Sequence, residues 1–285
     1  MTGRIEKTKA FLLQKFDESP RYIERKAEKD YRIEHTMRVA NLGKRIAEAE
    51  GLDTEALVIA CLLHDVSYCE TMNGREDWFN HGRRAAQIAE PFLKSLGFEQ
   101  EKVREICFGI AIHVDDRADF DGSRTPLAVS VGDADNLDRF DAYRIYETLE
   151  WKGYSKMAFS EKRQLVADML KDLDRLYGTA LETAFATELW RERIDFYRAF
   201  YRKLADQLAN STFPAECPLL SIKNKTRKNG NRPFFRVFSV NLSAYPRPSD
   251  QSDDFYNSTA GRARRFRAEP GTDFPRQQRL PEYPL

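Results

Sequence analysis

The chain has 285 residues, of which 41% are hydrophobic and 32% are charged, with a formal net charge of +1. These values are ordinary for a soluble globular protein, and the length allows one large domain or two small ones. No apolar run approaches the roughly 20 residues of a membrane span, and residues 1–16 are too charged for a signal peptide. We therefore expect a cytoplasmic protein that has no membrane partner.

Residues 1–210 show helical periodicity and little strand signal, which predicts an all-α fold. Eight segments fit helices in chain order: Arg4–Phe16, Tyr22–Glu50, Thr54–Asp65, His81–Leu96, Glu101–His113, Leu127–Trp151, Ser160–Tyr177 and Thr183–Ala209. The second segment is long and has a possible break near Asp30, and Pro91 is a possible kink in the fourth.

Capping residues support several of these boundaries. Asp53 or Thr54 is a candidate N-cap for the third helix, and Ser160 followed by Glu161 is a candidate cap for the seventh. Gly97 and Gly178 follow predicted helix ends. Two polar loops, Val66–Asn80 and Val114–Pro126, are where we expect a ligand to bind.

The last quarter of the chain has a different composition. Residues 211–285 contain 13 Lys or Arg against 7 Asp or Glu, and 9 of the 12 prolines. We interpret this segment as a basic, Pro-rich tail that is largely disordered, with one short candidate strand at Pro233–Val240. A basic tail could touch nucleic acid or an acidic partner, but it is more often a solvated extension, which is the interpretation we adopt.

The cysteine pattern argues against a disulfide framework or a thiolate metal site. None of the four cysteines forms a CxxC pair, and two of them lie in predicted helices: the four are Cys61, Cys69, Cys107 and Cys217. We expect reduced thiols, as in a cytoplasmic protein.

The four histidines of the chain share one property: each lies where its own helix points its apolar side. The stripes at helical spacing are His35-Val39-Leu42-Ile46-Ala49, His81-Ala85-Ile88-Phe92 and Val103-Ile106-Ile110-His113, and His64 follows Leu57 and Cys61 in the same way. The histidines are therefore predicted to point into a common interior.

Two carboxylates follow the same rule. The apolar run of residues 56–63 ends in His64 and Asp65, and Asp135 lies near the centre of the apolar stripe of its predicted helix. Asp133 falls on another face, so Asp135 is the better inward candidate.

A single histidine on an apolar face is usually a core residue that is hydrogen-bonded to backbone. Four histidines and two inward carboxylates are harder to explain in this way, because each unpaired buried polar group costs roughly 1–3 kcal/mol. A divalent metal removes that cost by accepting their lone pairs. Imidazole and carboxylate ligands suit Fe, Mn, Co, Ni or Zn.

The motifs formed by these residues resemble the signature of the HD-domain superfamily of metal-dependent phosphohydrolases. His35 is followed by Arg38-Val39, as in the HxxRV pattern, and residues 62–65 match its LLHD; Asp135 precedes Leu137 in the third motif. The resemblance covers about residues 31–151 and implies an all-helical bundle. His81-Gly82 and Ala111-Ile112-His113 are similar to the segments that complete a two-metal centre in some members.

By this analogy one or two divalent ions bind. The first takes His35, His64, Asp65 and Asp135, and the second takes Asp65 as a bridge together with His81 and His113. His81 and His113 could instead support the ligands of a single ion.

The resemblance implies a hydrolase that cleaves a phosphomonoester or phosphoanhydride, by hypothesis in a nucleotide, with a metal-activated water. Asp65 and His64 are the candidate catalytic residues, and Arg38 could orient a ligand carboxylate or form a surface ion pair. Asp138 could accept a proton from a ligand or cap an adjacent group. Candidate substrate-binding residues, chosen by position alone, are Arg117, Arg124 and Arg139.

Two alternatives remain at this point. Some members of the fold are di-iron oxygenases with a similar ligand set, and others are regulatory modules that bind a metal or nucleotide without catalysis. The sequence contains no P-loop and no GxGxxG, so neither Walker-type ATP binding nor a dinucleotide cofactor is indicated.

Overall fold

The structure is a computed structural model, and it describes residues 3–117 and 119–211. These residues contain nine α-helices and no β-strand: α1 Gly3–Asp17, α2 Lys26–Glu50, α3 Thr54–Leu63, α4 Arg75–Ser95, α5 Gln100–Ile112, α6 Pro126–Asp138, α7 Ala142–Trp151, α8 Phe159–Tyr177 and α9 Ala184–Ala209. Short 3₁₀ turns lie at Pro20–Tyr22, Val66–Cys69 and Tyr154–Lys156. The predicted all-α fold is confirmed for this part of the chain.

Helix α3 is the centre of the bundle. Its residues from Ala56 to Leu63 are all buried, as expected for an apolar run without a polar stripe. It packs against α1, α2, α5 and α6. Asp53 caps its N-terminus by accepting a hydrogen bond from the Ala56 backbone N–H, which confirms one of the two predicted caps. The core helix therefore delivers its C-terminal end, and the His64-Asp65 pair, to the middle of the protein.

The starts of two helices differ from the prediction by several residues. Helix α2 begins at Lys26, after a separate 3₁₀ turn at Pro20–Tyr22, rather than at Tyr22. Helix α4 begins at Arg75, six residues before the predicted start at His81, and it continues past Pro91 to Ser95. Its first turn carries Glu76 and Asp77, which favour a helix N-terminus.

The predicted helix Leu127–Trp151 is wrong as a single element. It is divided into α6 and α7 by residues 139–141, where Asp141 caps α7 by accepting from the Ala142 backbone N–H. Phe140, in the break, is buried against the rings of Trp190 and Tyr197 of α9. The chain changes direction between α6 and α7, and the contact of the Phe140 ring with α9 accompanies this change.

Two smaller expectations also change. The residue that precedes α8 is Ala158, whose backbone N–H donates to Glu161, so Ser160 lies inside the helix rather than at its cap. On the predicted apolar stripes, Ala49 is exposed and Ile88 and Phe92 are only half-buried. The candidate strand Pro233–Val240 and nearly all of the predicted tail lie outside the described residues.

Cys61, Cys69 and Cys107 are free thiols. Burial raises the pKa of Cys107 to about 12 and that of Cys61 further. Among the described residues, no helix has the length and apolar character that crossing a membrane requires.

Candidate metal centre

Five helices bring six side chains to one point inside the bundle. His35 lies in the middle of α2, His64 and Asp65 follow the end of α3, His81 lies in the second turn of α4, His113 follows the end of α5, and Asp135 lies in the last turn of α6. His64 is fully buried, and Asp65 and His35 are nearly so. The sequence positions predicted as ligands are thus close together in space.

The first group contains His35, His64, Asp135 and one oxygen of Asp65. The Nε2 atoms of His35 and His64 are 3.3 Å apart, and His35 Nε2 is 3.2 Å from Asp135 Oδ1. Asp65 Oδ2 lies 3.5 Å from each of these two Nε2 atoms. His64 Nε2 is 3.8 Å from Asp135 Oδ1.

The second group uses the other oxygen of the same aspartate. The Nε2 atoms of His81 and His113 are 3.2 Å apart, and they lie 3.3 Å and 3.7 Å from Asp65 Oδ1. The two carboxylate oxygens of Asp65 therefore face different groups of donors. This is the geometry that a bridging ligand requires.

Hydrogen bonds on the far side of each ring orient the four imidazoles. His64, His81 and His113 each place Nδ1 within 2.7 Å of the backbone carbonyl three residues earlier, and His35 places Nδ1 2.7 Å from Asp138 Oδ2. Because these partners are acceptors, Nδ1 carries the proton in each ring, and Nε2 of a neutral ring carries the lone pair. When all four rings are neutral, their lone pairs point at one another and at two carboxylates.

This arrangement fits a metal better than a set of hydrogen bonds. Two neutral Nε2 atoms at 3.2–3.3 Å cannot bond to each other, since neither offers a proton. Ligands bound at the usual 2.0–2.2 Å are separated by about 2.8–3.6 Å along the edges of an octahedron or tetrahedron. Most of the donor distances fall in this range. His35, His64 and Asp135 each place a ligand atom within 4.8 Å of the others, as do His64, Asp65 and His113.

The electrostatics of the site also favour a cation. Burial acts to lower the pKa of His35, but hydrogen bonds to Asp135 and Asp138 outweigh burial and raise this pKa to about 9. Burial lowers the pKa of His64 to about 4. Burial acts to raise the pKa of Asp65, yet the neighbouring histidines and Arg32 hold it well below its usual range. The carboxylates thus hold positive charge beside them, which is either a proton on His35 or a bound metal ion.

A second layer of side chains supports the donors. Asp138 accepts from His35 Nδ1 and from Arg38, whose Nε and Nη2 lie 2.7 Å and 3.1 Å from its two oxygens. Arg38 therefore acts on His35 through Asp138 rather than on the carboxylates of Asp65 or Asp135. Supporting carboxylates of this kind fix the tautomer and orientation of a ligating histidine.

Arg32 has a role that the sequence analysis missed. It is 3% exposed, and its Nη1 donates to Asp65 Oδ2 at 3.2 Å. Its guanidinium lies 3.6 Å from the centre of the Tyr68 ring. The position of Arg32 one turn before His35, on the same helical face, is the signal that could have indicated it.

Five of the six donors, all except His64, line a cavity of about 470 Å³. Its walls carry four arginines, Arg32, Arg75, Arg139 and Arg144, and three aromatic residues, Tyr68, Trp78 and Phe79. Of the three predicted substrate-binding arginines, only Arg139 lines this cavity. Arg117 is exposed and pairs with Asp115, while Arg124 pairs with Asp116 and Glu182.

Residues 32–140 match the family of HD domains. These residues are an HD domain. The matched region contains all six donors; it begins one residue later than the resemblance found in the sequence and ends 11 residues earlier.

Two crystal structures show the same fold over most of the chain. A predicted HD superfamily hydrolase from an uncultured Thermotogales bacterium is 20% identical, has a TM-score of 0.50, and is matched over 71% of this chain and 91% of its own. An HD-superfamily hydrolase from Bacillus thuringiensis is 20% identical, has a TM-score of 0.51, and is matched over 73% and 97%. At this identity the likeness shows the fold alone. Among curated proteins, none matches the chain.

Proposed function

We propose that the protein is a metal-dependent phosphohydrolase that cleaves a phosphomonoester or phosphoanhydride of a nucleotide. One observation carries this proposal: six donors form two groups that share Asp65, one carboxylate oxygen facing each group. The fold that it shares with proteins named HD-superfamily hydrolases supports the same reaction class.

The chain's own residues would hold the ions and prepare the site. His35, His64, Asp65 and Asp135 would hold one divalent ion, and Asp65, His81 and His113 a second. Such a pair, when bound, would supply Lewis acidity and lower the pKa of a bound water. Asp138 holds the proton of His35 Nδ1, so that Nε2 stays free to ligate.

The cationic walls of the cavity support an anionic substrate. Within the described part of the chain, Arg75, Arg139 and Arg144 have no carboxylate within 4.0 Å, although each lines the cavity. Arg75 is exposed, and Arg139 and Arg144 are half-buried. Guanidinium groups that line one cavity without paired carboxylates repel one another, and phosphate oxygens would offset this repulsion by accepting hydrogen bonds from them. Arg32, beside Asp65, would face the same oxygens.

The aromatic wall supports a nucleotide rather than a small phosphoester. Trp78 and Phe79 lie on α4 next to Arg75, and Tyr68 packs on Trp78 with ring centres 5.4 Å apart. A nucleobase could stack on these rings while the phosphate groups meet the arginines, because aromatic faces bind any base. The cavity of about 470 Å³ lies within the usual range for small-molecule sites.

The test begins with elemental analysis of protein purified without added metal. A phosphate-release screen on nucleotides and small phosphoesters then follows, with and without oxygen. We expect turnover with Mn²⁺ or Co²⁺ under anaerobic conditions. Activity that requires iron and consumes O₂ would indicate the oxygenase alternative, and metal-loaded protein with no turnover would indicate a binding module.

Two arginine variants locate the substrate in the cavity. Arg139→Ala should lower kcat/KM by about 10- to 100-fold, because a charge-assisted hydrogen bond to phosphate is worth about 1.5–3 kcal/mol. Arg117→Ala is the matched control, since Arg117 is exposed and does not line the cavity. Equal effects of the two changes would contradict the proposed orientation of the substrate.

A further inference from the structure

Three consecutive residues of α4 each contact the C-terminal end of α5. His81 faces His113, with 3.2 Å between the two Nε2 atoms. Gly82 lies so close that an added Cβ would be 2.9 Å from the carbonyl oxygens of Ile110 and Ala111. Arg83 reaches Asp115, with Nη2 3.1 Å from Oδ1. The histidine pair and the ion pair therefore connect the same stretch of α4 to the same stretch of chain at and after the end of α5.

The ion pair between Arg83 and Asp115 is more constrained than a typical surface pair. The two side chains are only 13% and 12% exposed. Arg83 also donates through Nε to Asp119 at 2.8 Å, so one guanidinium holds two carboxylates of the loop that follows His113. Exposed ion pairs contribute little to stability, but a partly buried, multiply bonded arginine fixes a distance between two elements.

We infer that Arg83 and Asp115 are positioning residues for the second ion. This inference rests on the proposed function, because it requires the two-metal centre. Arg83 lies two residues after His81, and Asp115 lies two residues after His113. The ion pair between Arg83 and Asp115 holds the end of α5 against α4. This contact fixes the separation of the two Nε2 atoms that would bind the ion.

The first ion should not depend on this ion pair. Its donors come from α2, from the end of α3 and from α6, and none of them lies on α4 or at the end of α5. A change at Arg83 should therefore weaken the second ion selectively. A role limited to general stability would instead weaken both ions together.

The experiment titrates Mn²⁺ into metal-free full-length protein by calorimetry and measures occupancy by elemental analysis. In Arg83→Ala we expect the first ion to bind within twofold of wild type and the second to bind about 10- to 100-fold more weakly, as for other changes that support metal ligands. Arg84→Ala is the matched control, because Arg84 is adjacent but exposed and pairs with Glu70. It should bind both ions as wild type does.

Asp115→Asn tests the other side of the pair and serves if Arg83→Ala does not fold. It keeps the size of the side chain and should show the same selective loss, while Arg83→Lys should recover part of it by pairing with one carboxylate. If wild type binds two ions and these variants bind the second equally well, the inference alone is overturned. Parallel loss of both ions also overturns it. If wild type binds a single ion, both the inference and the two-metal centre are overturned.

Discussion

Asp65 is the residue on which the candidate centre depends. One of its oxygens faces His35 and His64, and the other faces His81 and His113. Its Oδ2 also accepts from Arg32, and both side chains are only 4% exposed. The same carboxylate therefore joins the two donor groups and neutralises a buried guanidinium.

Replacing Asp65 should remove both functions at once. In Asp65→Ala we expect at most one bound ion and loss of at least about 100-fold in activity, since the bridge between the donor groups is lost. We also expect a free energy of unfolding lower by about 3–5 kcal/mol, because Arg32 is left buried without a partner. Elemental analysis and urea unfolding measure the two effects. Two ions per chain in this variant would contradict the assignment of Asp65 as the bridge.

Substitutions of His81 and His35 test the two donor groups separately. His81→Ala should keep the first ion and lower activity, while His35→Ala should lose the first ion, because His35 belongs to the group that also contains His64 and Asp135. Metal content per chain checks both variants. If His81→Ala still binds two ions, His81 is not a ligand of the second one.

Residue types and helical periodicity were sufficient to predict which side chains converge. The four histidines and Asp135 could be selected because each lies on the apolar stripe of its helix. Arg75 and Arg144 could not be selected, because an arginine on a helix usually extends into solvent and nothing local shows that it lines a cavity. Arg32 could have been selected, because it lies one turn before His35 on the same helical face. Arg117 and Arg124 were chosen by their position after His113, but acidic neighbours pair with both of them.

Helices α5 and α6 lie close to one another at Gly109. A Cβ at this position would lie 2.8 Å from the Ala128 carbonyl oxygen and 2.9 Å from its Cα. These are backbone atoms, which cannot move aside as a flexible side chain can. The glycine therefore sets the spacing between the helix that ends at His113 and the helix that carries Asp135.

Gly109→Ala should force these helices apart. We expect a loss of about 1–3 kcal/mol in stability, as for other overpacked sites, together with weaker metal binding. Gly178→Ala is the control, since nothing lies within 4 Å of a Cβ there. Thermal unfolding and Mn²⁺ titration compare the two. Equal melting temperatures would show that the bundle tolerates a wider spacing.

Helix α6 is held on its other face by Asp133. This buried carboxylate accepts from the backbone N–H groups of Glu182 and Thr183, each at 3.1 Å, so it fastens α6 to the turn before α9. Burial outweighs these donors and raises the pKa of Asp133 to about 6, from 3.8. Between these values the native state keeps a proton that the unfolded chain has released.

The free energy of unfolding should depend on pH because of this proton. The contribution of Asp133 is complete below about pH 4 and is lost as pH rises through 6, at a cost of at most about 3 kcal/mol. Asp133→Asn cannot titrate, so the difference in unfolding free energy between wild type and this variant should change over this range. Urea unfolding from pH 4 to pH 7 measures it. A constant difference for Asp133→Asn would contradict the shifted pKa.

There are physical reasons why some helix boundaries could be predicted from the sequence and others could not. The start of α3 was recognisable because the Asp53 cap depends on a local hydrogen bond. The break between α6 and α7 was missed because residues 139–141 contain no Gly or Pro, and the chain turns where Phe140 is buried against α9. The early start of α4 was missed because its first residue follows Gly74, which has no side chain that could cap the helix.

At the scale of the whole molecule, the division near residue 210 remains a prediction. Helix α9 ends at Ala209, and the basic, Pro-rich composition begins just beyond it. Removing residues 212–285 should leave a folded, metal-loaded protein, because all donors and the core around α3 lie within the described residues. Circular dichroism, melting temperature and metal content check this. Aggregation or loss of metal would mean that the last quarter of the chain supports the helical part.

The facing imidazole nitrogens of His81 and His113 also bear on the stability of the folded protein. The Nε2 atoms of His81 and His113 lie 3.2 Å apart, an arrangement that an ion bound between them and Asp65 would stabilise. Ion binding then adds stability by mass action, about 2.7 kcal/mol at a hundredfold excess over the dissociation constant. A cell starved of the ion would hold more unfolded chain for its proteases, so supply of the trace element would govern how long each copy survives.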